Sequence, residues 1–423
     1  MMVQRVQHLF THGQRSVIYL LGGLSVGAAA IAMAFGADEA QRLFQETIAG
    51  RPYLAFVITP VGFAIAAWIT RSFLPSAQGS GIPQVIAARH VKDPEAQNAL
   101  VSLRVAIGKI LLMMFGLLAG ASTGREGPTV QVGASIMFAL RRFSPQREYE
   151  LMLAGAAAGV SAAFNTPLAG IVFAIEELSR SFETRTSGLL IGSVIAAGLT
   201  SLAILGNYAY FGVTFVSIPI GADWLAIVVV GILGGLAGGL FGRVVVAAAF
   251  GLPGRIGALM KDHPIVTALI CGLVVAACGT AGSPSVFGTG YTEARAIIHG
   301  DVADLTFGPL KFMATVFSAV SGIPGGIFAP SLAIGAGLGS DMSLLFPTIP
   351  VGALALLGMV AYLTGVVQAP LTSFVIVFEM TNDNALVLPL MAVALIAQFT
   401  SKLVLPEGLY HALARKYLVN QNT

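Results

Sequence analysis

Apolar positions in this chain fall in long blocks, and glycine and proline recur inside those blocks rather than between them. A bilayer span takes about twenty predominantly apolar residues. The runs at 17–35, 54–69, 101–121, 188–205, 224–246, 265–281, 307–320 and 386–399 are therefore read as helices that cross alone or with their flanks. Shorter pieces lie between them, at 82–88, 128–140, 151–164, 168–175, 328–336, 354–363, 371–378 and 408–417. These are too short to cross and fit half-helices that enter the membrane and stop. Irregular backbone survives at membrane depth only where protein or a water-filled cavity satisfies it, so the pattern predicts a thick body with a pathway inside.

Composition agrees. Of 423 residues, 56% are hydrophobic and only 10% charged, against roughly 25% charged in soluble domains. The net charge of +3 is spread without a basic block, which argues against a nucleic-acid partner. Cys271 and Cys278 share one apolar stretch and read as packing residues, not as a disulfide framework or metal site. Arg5, His8, His12 and Arg15 precede the first run with no clear cleavage site after them, so an uncleaved cytoplasmic start is expected. No soluble appendage is expected before the chain ends at Thr423.

An internal echo divides the chain. Gly124-x-x-x-Pro128-x-x-x-x-Gly133 returns 202 residues later as Gly326-x-x-x-Pro330-x-x-x-x-Gly335. Pro167-Leu168 with Glu176 returns 203 residues later as Pro370-Leu371 with Glu379. Two repeats, 1–215 and 216–423, are the reading. The residues alone leave open whether they run parallel or inverted, but transporters with broken helices bind substrate where repeats meet.

The candidate chemistry gathers at the breaks. In Gly124-Arg125-Glu126-Gly127-Pro128 the proline suits a helix start, and the glycines are expected to leave bare N–H groups before it. Such an N-terminus attracts anions, and the nearest anion is the chain's own Glu126; a structural Arg125–Glu126 pair or a charged loop is the alternative. Gly79-Ser80-Gly81-Ile82-Pro83 lets backbone approach a ligand closely, with Ser80 able to donate a hydrogen bond without charge. An ordinary serine-capped turn fits equally, and Gly288-Thr289-Gly290 echoes it without the proline. Gly326-Ile327-Phe328-Ala329-Pro330 repeats the helix start with apolar residues where Arg125 and Glu126 stand. Its amides would hold an anion by dipole and also release it; a tight re-entrant turn is the alternative.

Two further pieces carry polar groups. Glu176 and Glu177 fall near the end of a helix begun by Pro167. A charge at bilayer centre costs roughly 2.5–3.5 kcal/mol, which places both at an interface or wet cavity. Glu176 has a counterpart in Glu379 whereas Glu177 matches Met380, so Glu176 reads as structural and Glu177 as the special one. Tyr410, in Leu409-Tyr410-His411, offers a neutral phenol donor or is an aromatic-belt residue.

In this order the pieces resemble the CLC family of chloride channels and proton-coupled chloride transporters, over nearly the whole chain. The resemblance rests on Gly79-Ser80-Gly81-Ile82-Pro83, Gly124-Arg125-Glu126-Gly127-Pro128, Gly326-Ile327-Phe328-Ala329-Pro330 and the final Tyr410 helix. It implies an all-α membrane protein of two inverted repeats of broken, tilted helices, and a homodimer with one pathway per subunit. It implies that Ser80 and Tyr410 are side-chain ligands of a central anion and that Ile327 and Phe328 are its backbone donors. Glu126 is similar to the family's external gate and Glu177 to its internal proton-transfer residue.

Family members that act as passive channels generally lack that internal acid, and fluoride-selective relatives depart from the serine. Ser80 with Glu177 therefore implies a chloride/proton antiporter; a passive chloride-selective channel of the same fold is the alternative. Gln84 and Ile86 stand where some bacterial members carry acids, and the regulatory domain pair of many members is not expected. A bacterial cytoplasmic membrane is the expected setting, with chloride and protons as substrates and no cofactor. An intramembrane enzyme using Glu126, Glu177 and Tyr410 finds no nucleophile–base pair in support. Burial favours the neutral acid and amides favour the carboxylate. Glu126 is thus expected to vacate its site on taking a proton, admitting chloride, with protons reaching Glu177 by a partly separate route.

Overall fold

The structure, a computed structural model, describes residues 2–144, 147–179, 187–206 and 209–419. Side chains 2–15, 187 and 419 lie outside that description, so Arg5, His8, His12, Arg15 and the end at Thr423 do too. The first half holds α1 (Met2–Ile48), α2 (Ala55–Phe73), α3 (Ile82–His90), α4 (Pro94–Leu100), α5 (Leu103–Leu118), α6 (Glu126–Ala139), α7 (Glu148–Phe164), α8 (Pro167–Phe173) and α9 (Ser187–Leu205). The second holds α10 (Leu225–Phe250), α11 (Gly254–Asp262), α12 (Pro264–Ala281), α13 (Tyr291–Ile298), α14 (Phe307–Val320), α15 (Phe328–Asp341), α16 (Val351–Val367), α17 (Pro370–Thr381), α18 (Val387–Val404) and α19 (Leu409–Val419). Among the described residues there is no strand beyond isolated bridges.

Seven helical stretches, including Ser16–Ile48, Ala222–Phe250 and Asn384–Val404, are long and apolar enough to cross a membrane. On α18, Leu388, Leu395, Phe399 and Leu403 are each 60–71% exposed along one side. A contiguous apolar face of that kind suits lipid and not water, so this is a membrane protein. At the centre, residues 151–164 of α7 and 352–367 of α16 are buried all round, as helices apolar on every face must be. Their partners α6 and α15 approach backbone to backbone. A Cβ on Gly133 would stand 2.2 Å from the Gly155 carbonyl oxygen, and one on Gly335 2.5 Å from that of Gly358. Small residues are what permit such contact in a bilayer.

The two halves cap one another. The Glu176 carboxylate accepts the N–H groups of Leu371 (3.1 Å) and Thr372 (2.7 Å) at the start of α17. Glu379 accepts those of Leu168 (3.1 Å) and Ala169 (2.7 Å) at the start of α8. Each acid meets the partial positive charge of the other half's helix, so the duplicated glutamate is structural, as expected.

Boundaries differ from the apolar pattern where capping intervenes. The run at 101–121 becomes helical only at Leu103, because the Ser102 side chain accepts the N–H of Val105 at 3.4 Å and caps α5. The piece at 168–175 extends as a π-helical turn over Ala174–Ser179. Helices α11 and α13, short and half polar, escape a reading based on apolar runs.

Candidate functional site

The loops that precede α3, α6 and α15 are stitched together inside the protein. Gly124 and Gly326 exchange both backbone hydrogen bonds at 2.7 Å. Gly79 donates to the Ile323 carbonyl (3.2 Å) and accepts from Gly325 (3.1 Å). Gly79 and Gly81 hold φ of 63° and 97°, the left-handed region that glycine tolerates. Three helix N-termini therefore converge, each with first-turn N–H groups that no intrahelical acceptor can reach.

Two expectations need correcting. Helix α6 begins at Glu126 and α15 at Phe328, so Pro128 and Pro330 sit third in their helices and not first. Proline is tolerated anywhere in a first turn, which leaves the start to the loop pairing. The N–H groups of Gly124 and Gly326 are not bare, because the stitching uses them. The donors left over belong to the residues that follow, among them Ile327 and Phe328.

Glu126 folds its own carboxylate onto this junction. It is 1% exposed, and a Cβ on Gly124 would lie 2.3 Å from its Oε2 and 3.1 Å from Ala329 Cβ. The acid thus lies in the crevice between the starts of α6 and α15. The N–H groups of Glu126 and Ala329 bear on it, yet neither oxygen reaches ordinary hydrogen-bond geometry, so it is loosely held. Arg125 turns elsewhere: it donates to the Ala34 carbonyl (2.8 Å) and to Asp38 Oδ1 (2.7 Å) and reaches the Tyr210 hydroxyl (3.5 Å). Its hydrogen-bonded acid is Asp38, not Glu126.

Ser80 and Tyr410 close the other side of the junction. Ser80 Oγ accepts the Ile82 N–H at 3.3 Å as α3 opens. Tyr410 is fully buried, which removes it from any interfacial belt. Its ring stacks on Phe328 with centroids 5.9 Å apart, and Phe164 and Phe173 wall Phe328 at 6.0 and 6.1 Å. The Tyr410 hydroxyl lies beside Ser80 without a hydrogen bond of ordinary geometry. Beyond Ser80 opens a cavity of about 540 Å³, lined also by Gln84, Arg71, Lys261 and Lys416. Its basic side chains concentrate anions.

Glu177 stands at the edge of this group, 3% exposed on the π turn. The turn separates it from Glu176, which caps α17, and sets it against α19. There His411 Nε2 lies 2.8 Å from the Glu177 carbonyl oxygen and 3.6 Å from Oε1. Tyr410 is within electrostatic reach of both Glu177 and Glu126. The structure therefore brings Ser80, Glu126, Ile327, Phe328 and Tyr410 together and sets Glu177 against His411, the residue that follows Tyr410.

The sequence profile of the family described as voltage gated chloride channel matches residues 61–402. The chain belongs to that family, the CLC proteins. It is 33% identical over 389 residues to the H(+)/Cl(−) exchange transporter ClcA of Klebsiella pneumoniae, covering 87% of this chain and 80% of the relative. The ClcA exchanger of Salmonella typhi is 32% identical over 390 residues, with the same coverage. Among solved structures, a slow cyanobacterial Cl−/H+ antiporter aligns with a TM-score of 0.83 at 24% identity, covering 97% of this chain and 99% of that one. A CLC-type fluoride/proton antiporter aligns at 0.78 and 22%, covering 95% and 98%. At these identities the two structures speak for the fold.

Two residues of this CLC protein escaped the motif reading. Lys109 Nζ, buried in α5, donates to the carbonyls of Ala77 (2.8 Å) and Gly79 (2.6 Å). Lys311, 202 residues later in α14, donates to those of Val286 (2.8 Å) and Gly288 (2.7 Å). Each holds the turn that carries Ser80 or Thr289. The offset of 202 was the available signal, but an apolar run with one lysine gives no hint of where that lysine points.

Proposed function

We propose that this chain is a secondary active transporter that exchanges chloride for protons across a membrane. The observation that carries the reading is the Glu126 carboxylate folded into the crevice between the α6 and α15 N-termini. There it occupies a place shaped for a small anion while remaining tethered to the chain. Chloride binds through the amides of Ile327 and Phe328 and the hydroxyls of Ser80 and Tyr410, reached through the cavity beyond Ser80. Protonation discharges Glu126, which then leaves the crevice; the proton passes to Glu177, whose burial keeps it off the anion path. The exchangers named among the bacterial relatives support the same pairing of ions. Repeats 1–215 and 216–423 form one membrane domain, and the protein works as a homodimer in a bacterial cytoplasmic membrane.

Parallel chloride and proton fluxes from purified protein in liposomes test this. Glu126→Gln is expected to keep chloride movement and abolish proton uptake driven by a chloride gradient. Persistent proton uptake in that variant removes Glu126 from the gate. A wild-type reversal potential that follows chloride alone, whatever the pH, makes the protein a passive channel.

A further inference from the structure

Helix α19 has two working faces. Leu413, Lys416 and Tyr417 line the cavity beyond Ser80. At 3.6 residues per turn, His411 points to the other side of the helix, where it meets Glu177. A carbonyl oxygen only accepts, so Nε2, 2.8 Å from that of Glu177, carries a hydrogen. The same nitrogen is 3.6 Å from the Glu177 carboxylate. The His411 side chain keeps 13% of its exposure against 4% for Glu177, so the ring is the more accessible of the two. Neither residue lines the Ser80 cavity.

Among the described residues, several charged groups around this turn are engaged with other partners. Glu176 caps α17, Arg89 at the end of α3 donates to the Leu178 carbonyl, and Glu407 pairs with Arg415 on α19 itself. His90 Nδ1 lies 2.8 Å from the Ile86 carbonyl. Among the described residues, His411 approaches the Glu177 carboxylate to 3.6 Å, and the Tyr410 hydroxyl is also within electrostatic reach of it.

Resting on the exchange function proposed for Glu177, we infer that His411 is a proton-relay residue that loads and unloads Glu177 from solvent. In the loading step the Nε2–H bond of the imidazolium breaks and an O–H bond forms at Glu177 Oε1. The neutral ring then regains a proton from a hydronium ion of the adjoining solvent, which is left as water, and unloading runs the same steps backward. The 3.6 Å gap closes by a side-chain rotation or through one bridging water. Imidazole is suited to the task because it gains and loses a proton around neutral pH. Helix α19 then acts as a partition, with anions on the face of Lys416 and Tyr417 and protons on the face of His411.

The test uses full-length protein in liposomes, with chloride and proton fluxes read together. His411→Gln keeps a donor for the Glu177 carbonyl but cannot carry a proton. The number of protons moved per chloride is expected to fall by about tenfold or more, with chloride still moving. In His411→Ala, imidazole added to the buffer is expected to restore proton movement. An unchanged ratio in His411→Gln overturns the inference. So does a fall that imidazole leaves unrestored in His411→Ala, which makes His411 a packing residue. Loss of proton movement already in the wild type sinks the exchange function instead, so the two failures read differently.

Discussion

Gly79-Ser80-Gly81 and Gly288-Thr289-Gly290 occupy matching places in the two halves. Their glycines hold φ of 63° and 97° in one and 65° and 76° in the other. Each turn follows a 3-10 helix, Pro75–Ala77 or Pro284–Val286, and each is clamped by a buried lysine, Lys109 or Lys311. Their surroundings differ. Ser80 opens onto the cavity, whereas the N–H and Oγ1 of Thr289 both turn to Gln41 Oε1 of α1, at 3.1 and 3.3 Å. The helix starts that they accompany diverge likewise, with Glu126 leading α6 and Phe328 leading α15. Duplication supplies the frame of converging helix N-termini. The proposed pathway lies where the halves stop being alike: one turn is plugged by an amide, the other opens onto the cavity, and one helix start carries an acid where the other carries a phenyl ring.

The lysines offer the largest test of that contrast. Lys109→Met and Lys311→Met each strand carbonyls in an apolar interior, and each is expected to lose about 2–4 kcal/mol of stability in thermal unfolding. Only Lys109→Met should also weaken chloride binding measured by calorimetry. Equal loss of chloride affinity in both would break the contrast. A smaller effect is expected from Gln41→Ala, which unplugs Thr289: about 1–2 kcal/mol of stability and an unaltered chloride flux. A rise in flux would reveal a second pathway in the other half. The smallest concerns the shared frame. Glu176→Gln and Glu379→Gln each weaken a helix cap by about 1 kcal/mol, in equal measure and without altering the proton-to-chloride ratio; unequal losses would mean that the reciprocal caps are not equivalent.

Much of this was legible along the chain because its cause is local. Apolar blocks long enough to cross a bilayer, glycine and proline at the breaks, and the recurrence of Gly326-Ile327-Phe328-Ala329-Pro330 after Gly124-Arg125-Glu126-Gly127-Pro128 determined a membrane protein of two broken-helix halves. They also singled out the residues that the fold gathers at the junction. Tertiary structure alone decided what those residues face. The pairing of Gly124 with Gly326, the cross-capping by Glu176 and Glu379, the plug from Gln41 and the approach of His411 to Glu177 each join positions about two hundred or more apart. Hydrophobic periodicity is a property of neighbours within a few turns, so it marks which segments are buried. Which buried polar group meets which is settled only when those segments pack.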